Sequence, residues 1–93
     1  APLLQDANAT VRVAAAEAIL RRGSDPAAMQ VIEDAIVQTD QRELRLFALN
    51  ALDRSGQPTP KILRSLLGQL AASDDFASFD YYLARAARPL LNR

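Results

Sequence analysis

The sequence contains no cysteine, no histidine and no tryptophan. Without cysteine it has no disulfide, no thiolate metal site and no thiol nucleophile. Without histidine it lacks the commonest general base and the commonest zinc ligand. Aromatic residues make up only 5% of the chain, an unusual composition for a β-sandwich core. Charge of either sign is not in excess: 11 Lys and Arg balance 11 Asp and Glu. No net field therefore draws in DNA, RNA or an anionic membrane. No apolar run approaches the roughly 20 residues that span a bilayer. Ala1–Gln5 has neither the basic start nor the long apolar stretch of a signal peptide. The chain opens without Met, and it is expected to be a piece excised from a longer protein.

What is present is apolar and rich in alanine. Hydrophobic residues make up 49% of 93 residues, enough for one domain of closely packed helices. The chain also repeats. Val11-Arg12-Val13-Ala14-Ala15 matches Leu44-Arg45-Leu46-Phe47-Ala48 at an offset of 33, which carries Ala18 onto Ala51, Ile19 onto Leu52 and Gly23 onto Gly56. Beyond the glycine the offset becomes 34, with Pro26 on Pro60, Met29 on Leu63, Ile32 on Leu66 and Ile36 on Leu70.

Each unit reads as two helices. The first starts near Asn8 or Thr10 in unit one and after Asp40 in unit two, where Asp40 and Glu43 have the spacing of a capping box. Gly23 and Gly56 are placed to end these helices in the left-handed conformation. Asp25-Pro26 and Thr59-Pro60 then supply an N-cap followed by proline at the first helical position. The second helices are expected over Pro26–Gln38 and Pro60–Ala71. A third, looser unit follows the Asp74-Asp75 turn. Phe76 to Leu91 reads as one helix whose arginine has moved from position 84 to Arg85 and which Pro89 either bends or shortens. Leu3-Leu4 reads as the tail of a preceding helix. The expected fold is all-α, about five helices stacked as a right-handed solenoid of hairpins. It forms a single domain over 1–93, with units at about 5–38, 39–72 and 73–93.

The run from Leu4-x-Asp6 through Val11-Arg12-x-x-Ala15-x-x-Ala18 to Gly23 resembles HEAT-like repeats, especially the short kind named after phycobilisome lyases. Asp40, Leu44-Arg45, Ala48, Ala51-Leu52 and Gly56 repeat the match. Tetratricopeptide repeats share the period, but the aromatic residue and the glycine they expect inside the first helix are missing. Arg12-Val13-Ala14-Ala15-Ala16-Glu17-Ala18, the run Leu46 to Asp53 and the closing Tyr81-Tyr82-Leu83-Ala84-Arg85-Ala86-Ala87 also resemble the helical-repeat region C-terminal to some bacterial sulfatases. That resemblance implies a catalytic domain elsewhere in a parent chain, and an exported or periplasmic location. Otherwise the location is expected to be cytoplasmic. None of the sulfatase nucleophile or calcium-ligand motifs is present.

Arg12 and Arg45 fill the same slot in successive units. The HEAT-like resemblance implies that each bonds an aspartate in the turn, with Asp6 and Asp40 available. That structural role is preferred over a ligand-binding basic ladder. Arg21-Arg22, and Arg85, Arg88 and Arg93, are local basic clusters that read as helix C-terminal arginines favoured by the dipole. Asp74, Asp75 and Asp80 lack the glycine turn of a calcium loop and read as capping and solvated carboxylates. Glu17 and Asp53 lie on first helices, have no evident partner for a carboxylate pair and read as exposed-face residues. Phe76, Phe79, Tyr81 and Tyr82 read as packing that closes the stack end, with one tyrosine exposed.

A non-catalytic structural or protein-interaction module is the expected function, because solenoids work through extended surfaces. The resemblance places that surface on the second-helix face, with Gln30, Glu33, Asp34, Lys61, Arg64 and Gln69. Its mixed charge suits a protein partner or the rest of the parent chain. An accessory region of a sulfatase-type hydrolase is the alternative. Nucleic-acid binding, as in the alkylpurine DNA glycosylases built of HEAT-like repeats, is disfavoured by the neutral charge. No cofactor, metal or membrane partner is expected. Uncovered end hairpins are expected to favour self-association.

Overall fold

A computed structural model describes residues 2–75 and 77–93. Among these the chain is all-helical. The five α-helices are α1 (Ala9–Leu20), α2 (Pro26–Val37), α3 (Arg42–Ser55), α4 (Arg64–Ala71) and α5 (Asp80–Leu91). Short 3-10 turns cover Pro2–Gln5 and Lys61–Leu63.

The start of α1 is set by two short side chains in sequence. The Asp6 carboxylate accepts the Asn8 N–H at 2.8 Å. Asn8 Oδ1 then accepts the N–H groups of Thr10 at 2.9 Å and Val11 at 3.2 Å, two donors that no helical carbonyl can reach. At α2 Asp25 does the same for Ala28 N–H at 2.9 Å, and Pro26 occupies the first helical position.

Three boundaries depart from the sequence pattern. Thr59-Pro60 does not repeat Asp25-Pro26. Thr59 is buried, its hydroxyl donates to the Leu90 carbonyl at 2.6 Å, and no side-chain cap bond forms at the turn that follows. Pro60 itself becomes the cap of a 3-10 turn, and regular helix begins only at Arg64. Asp40 and Glu43 form no capping box: Gln41 is the N-cap residue of α3, and its N–H is taken by Thr39 Oγ1 at 3.0 Å. The last helix starts at Asp80 rather than at Phe76, a residue outside the described ones, because Asp75 and Ser78 hold the preceding turn through the N–H groups of Ala77 and Asp80.

The two unit glycines differ as well. Gly56 caps α3 at φ +75°, in the left-handed turn expected of it. Gly23 lies two residues beyond the Arg21 cap at φ +155°, outside that turn, and α1 is closed by the N–H groups of Arg21 and Arg22 on Glu17 and Ile19 carbonyls. No atom lies within 4 Å of a Cβ built on Gly56. Gly56→Ala is therefore expected to cost only the backbone term, about 1 kcal/mol. Thermal unfolding checks this.

Pro89 falls in the last turn of α5, which continues to Leu91. Its missing N–H removes a bond the Arg85 carbonyl would accept. With the helix ending two residues later, little regular backbone depends on it.

The helices pack as α1 on α2, α2 on α3, α1 on α3, α3 on α5 and α4 on α5. The backbones of α3 and α4, neighbours in sequence, scarcely approach each other. The 39–72 segment is thus not a closed hairpin like α1–α2, and α4 leans on α5 instead. Leu20, Ile32, Ile36, Leu49, Leu52, Leu63, Leu67, Leu83 and Leu90 are fully buried. Alanines at 16, 28, 48, 51, 84 and 87 are equally inaccessible and let the helix axes draw close. The radius of gyration is 12.5 Å, close to the ~12 Å of a compact chain this long.

Candidate functional site

Each α-helix leaves its last carbonyls without an intrahelical donor. Here every one of the five helix ends receives a side-chain donor from a different element. Gln57, after α3, donates Nε2 to the Leu20 carbonyl of α1 at 2.7 Å. Arg45 of α3 donates Nε to Ile36 of α2 at 2.7 Å and a terminal nitrogen to Thr39 at 2.9 Å. Arg93, after α5, reaches the carbonyls of Leu52, Asp53 and Gln57 at the end of α3 at 3.3, 2.7 and 3.1 Å. Arg88 of α5 donates to Ala71 and Ser73 after α4 at 3.1–3.3 Å. Thr59 and Arg64 close α5 at Leu90 and Leu91. A positive guanidinium at the negative end of a helix dipole is favourable, and its planar fork suits paired carbonyls.

This geometry corrects the aspartate pairing. Arg12 bonds Asp6 through the main-chain carbonyl, at 2.6 Å, and not through the carboxylate. Arg45 passes over Asp40 for two main-chain oxygens. In the third unit this work falls to Arg88, one turn beyond Arg85, whose guanidinium instead lies 5.8 Å from the centre of the Tyr81 ring.

Both acids read as exposed-face residues carry an arginine partner; Asp53 is exposed as expected, and Glu17 is not. Glu17 has a side chain only 13% accessible and is paired with Arg21 at 3.0 Å and Arg54 at 2.9 Å. The bond from Arg54 links α1 to α3 and raises the arginine's pKa, chiefly through the hydrogen bond itself. Asp53 is paired with Arg93 at 2.6 Å.

The expected second-helix surface is dispersed. Arg64 is engaged at the end of α5, Lys61 is exposed in a 3-10 turn, and Glu33 is half-buried on α2, whose backbone scarcely approaches that of α4. Gln30 and Gln38 both donate to the Asp34 carboxylate, at 2.8 and 3.4 Å. Burial, and then the charge of Asp34, push the Glu33 carboxyl above its ordinary range. A raised carboxyl pKa means the ionised form is penalised in the fold; the penalty is absent below the unfolded pKa and complete above the folded one. Glu33→Gln is expected to stabilise by less than about 0.5 kcal/mol at neutral pH. The gain should vanish below about pH 4. Melting curves across that range decide it.

At the aromatic cluster, Phe79–Tyr82 and Tyr81–Tyr82 ring centres are both 6.0 Å apart, and Tyr82 is the exposed tyrosine at 53%. A shallow groove between α3 and α5 is lined by Leu46, Asn50, Tyr82, Arg85 and Ala86. A larger cleft of about 420 Å³ lies where the start of α1 meets the end of α2, bounded by Leu4, Arg12, Val13, Val31, Ala35 and Leu44 among others. Among the described residues no three acidic side chains gather as a metal site, and no helix is long and apolar enough to cross a membrane.

Comparison of the chain with protein-family models, curated proteins and solved structures finds no match.

Proposed function

We propose that this chain is a non-catalytic helical-repeat module, a HEAT-like solenoid segment that serves as a structural or protein-interaction region. The observation that carries this reading is the employment of its polar side chains. Seven of the arginines bond either main-chain carbonyls of another segment or a carboxylate on another turn. Catalysis requires titratable groups gathered in a pocket with shifted pKa values. Here the shifted groups, Glu33 and Arg54, sit on different helices, and neither lines the 420 Å³ cleft.

The same engagement argues against a nucleic-acid surface, since guanidinium groups tied to main-chain oxygens are not presented to phosphates. Exposed apolar side chains at Leu3, Val37, Ile62 and Tyr82 favour a protein partner instead. That partner includes the rest of a parent chain, as in the accessory region of a sulfatase-type hydrolase.

Native-state hydrogen exchange tests the repeat reading. A stack whose units contact only neighbours opens piecewise. Val13→Ala should speed exchange in α1 and α2 while leaving α4 and α5 unchanged. Equal acceleration in all five helices would sink the proposal.

A further inference from the structure

The two grooves between successive first helices end alike and differ two turns earlier. The Glu17–Arg54 pair at 2.9 Å joins α1 to α3, and the Asp53–Arg93 pair at 2.6 Å joins α3 to the end of α5. Seven residues before Arg54, on the same stripe of α3, Phe47 lies half-buried against the core. Seven residues before Arg93 stands Ala86. The offset of 39 between them also carries Leu44 onto Leu83 and Ala48 onto Ala87. The second groove thus lacks the benzyl group present in the first, although both of its walls, α3 and α5, are in place. Here lies the hollow of about 270 Å³ lined by Leu46, Asn50, Tyr82, Arg85 and Ala86. Its donors are unemployed as well. Arg85 pairs with no carboxylate among the described residues and lies against the Tyr81 ring. Asn50 stands one repeat after Glu17, so an amide replaces a carboxylate, and its side chain makes no hydrogen bond among the described residues.

We propose that this groove docks an aromatic side chain and a neighbouring carboxylate of a protein partner. The ring lies on Leu46 and Ala86 beside Tyr82, whose own ring offers it an edge or offset contact. It supplies the group that Phe47 supplies on the α3 side of the first groove. The carboxylate takes the Arg85 fork and the Asn50 amide, a charge-assisted pairing that a planar guanidinium favours. The positive charge is confined to one point. Glu43, exposed on the same stripe of α3 as Leu46 and Asn50, repels a longer polyanion, and the chain's net charge is zero. A single carboxylate fits this field, and a nucleic-acid backbone does not. Docking of this kind presupposes the protein-interaction reading and gives its partner a chemistry.

The probe is a capped peptide, acetyl-Gly-Phe-Glu-Gly-amide, titrated into the isotope-labelled intact chain. Amides of Leu46, Asn50, Tyr82, Arg85 and Ala86 should shift, with a Kd of about 1 mM or below. Replacing Phe by Ala, or Glu by Gln, in the peptide should weaken binding at least about fivefold. Arg85→Gln, a substitution at an exposed position, should make the Glu and Gln peptides bind alike. Ala86→Phe supplies the ring from within the chain and should abolish the shifts without lowering the melting temperature. An absence of shifts at tenfold that peptide concentration overturns the proposal. Equal binding of the Glu and Gln peptides by the original chain does so too. Adenosine monophosphate binding the same residues more tightly than the peptide would give the groove to a nucleotide and overturn it. Peptide shifts on α2 instead remove this assignment and leave the protein-interaction reading standing, whereas exchange in Val13→Ala tests the repeat reading by itself.

Discussion

Arg45→Ala should destabilise the chain by about 3 kcal/mol, while Asp40→Ala should change stability by less than about 0.5 kcal/mol. The contrast follows from which oxygens the guanidinium meets. Arg45 serves the carbonyls of Ile36 and Thr39 with short bonds in a half-buried setting. Removing it leaves both acceptors short of a donor, at about 1–3 kcal/mol for each group that water cannot reach. It also removes a cation from the negative end of α2. Asp40 takes no part in either bond, so its loss leaves them intact. Arg45→Lys should recover about half, since an ammonium keeps the charge but cannot hold two carbonyls in one plane. Chemical denaturation of the three variants gives the answer. Equal losses from Arg45→Ala and Asp40→Ala would instead restore an arginine–aspartate pair and overturn main-chain capping as the purpose of the slot.

That slot also marks how far the sequence could be read. A motif shows which side chain recurs, but main-chain acceptors leave no trace in the residue letters. Aspartates at positions 6 and 40 therefore look like the partners when the carbonyls beside them are. Local signals fared better. Asn8, Asp25-Pro26 and Gly56 act within four residues of where they stand, and each sits as its chemistry demands. Thr59-Pro60 carries the same local signal as Asp25-Pro26, yet a partner 31 residues away, the Leu90 carbonyl, claims the threonine. Of the two partners of Glu17, Arg21 stands four positions on and was within reach of the sequence pattern, whereas Arg54 lies 37 positions on. Gln57 carries no local signal, and Arg88 reads locally as a C-terminal arginine of its own helix, because their acceptors belong to helices packed beside them in space. An offset of 33–34 applied to Gln57 reaches Leu90 or Leu91 in unit three, whereas the equivalent donor to the end of α3 is Arg93, beyond both.

The α4–α5 pair is where a single substitution should do most damage. Leu67 is the one fully buried side chain between Arg64 and Ala71, and it lies in the same core as Leu63, Leu83 and Leu90. With only eight residues, α4 is far too short to persist by propensity alone. Its backbone scarcely touches α3, so α5 supplies most of its support. Leu67→Ala should cost about 3–4 kcal/mol, from lost transfer energy and from the cavity left behind. Against a total stability of about 5–15 kcal/mol, that loss lowers the melting temperature by roughly 12–30 °C. The consequences should also extend beyond α4. Arg64 and Thr59 hold the carbonyls that end α5, and Arg88 holds those that end α4. Loosening α4 therefore releases donors at both ends of the pair, and α5 amides near Leu90 should exchange faster together with those of α4. Protection in α1 and α2 should be retained, because their ends are served by Gln57 and Arg45. A loss below about 1 kcal/mol, or exchange that accelerates in α4 while α5 stays protected, would show that α4 is an appendage and that the reciprocal caps do not couple the two helices.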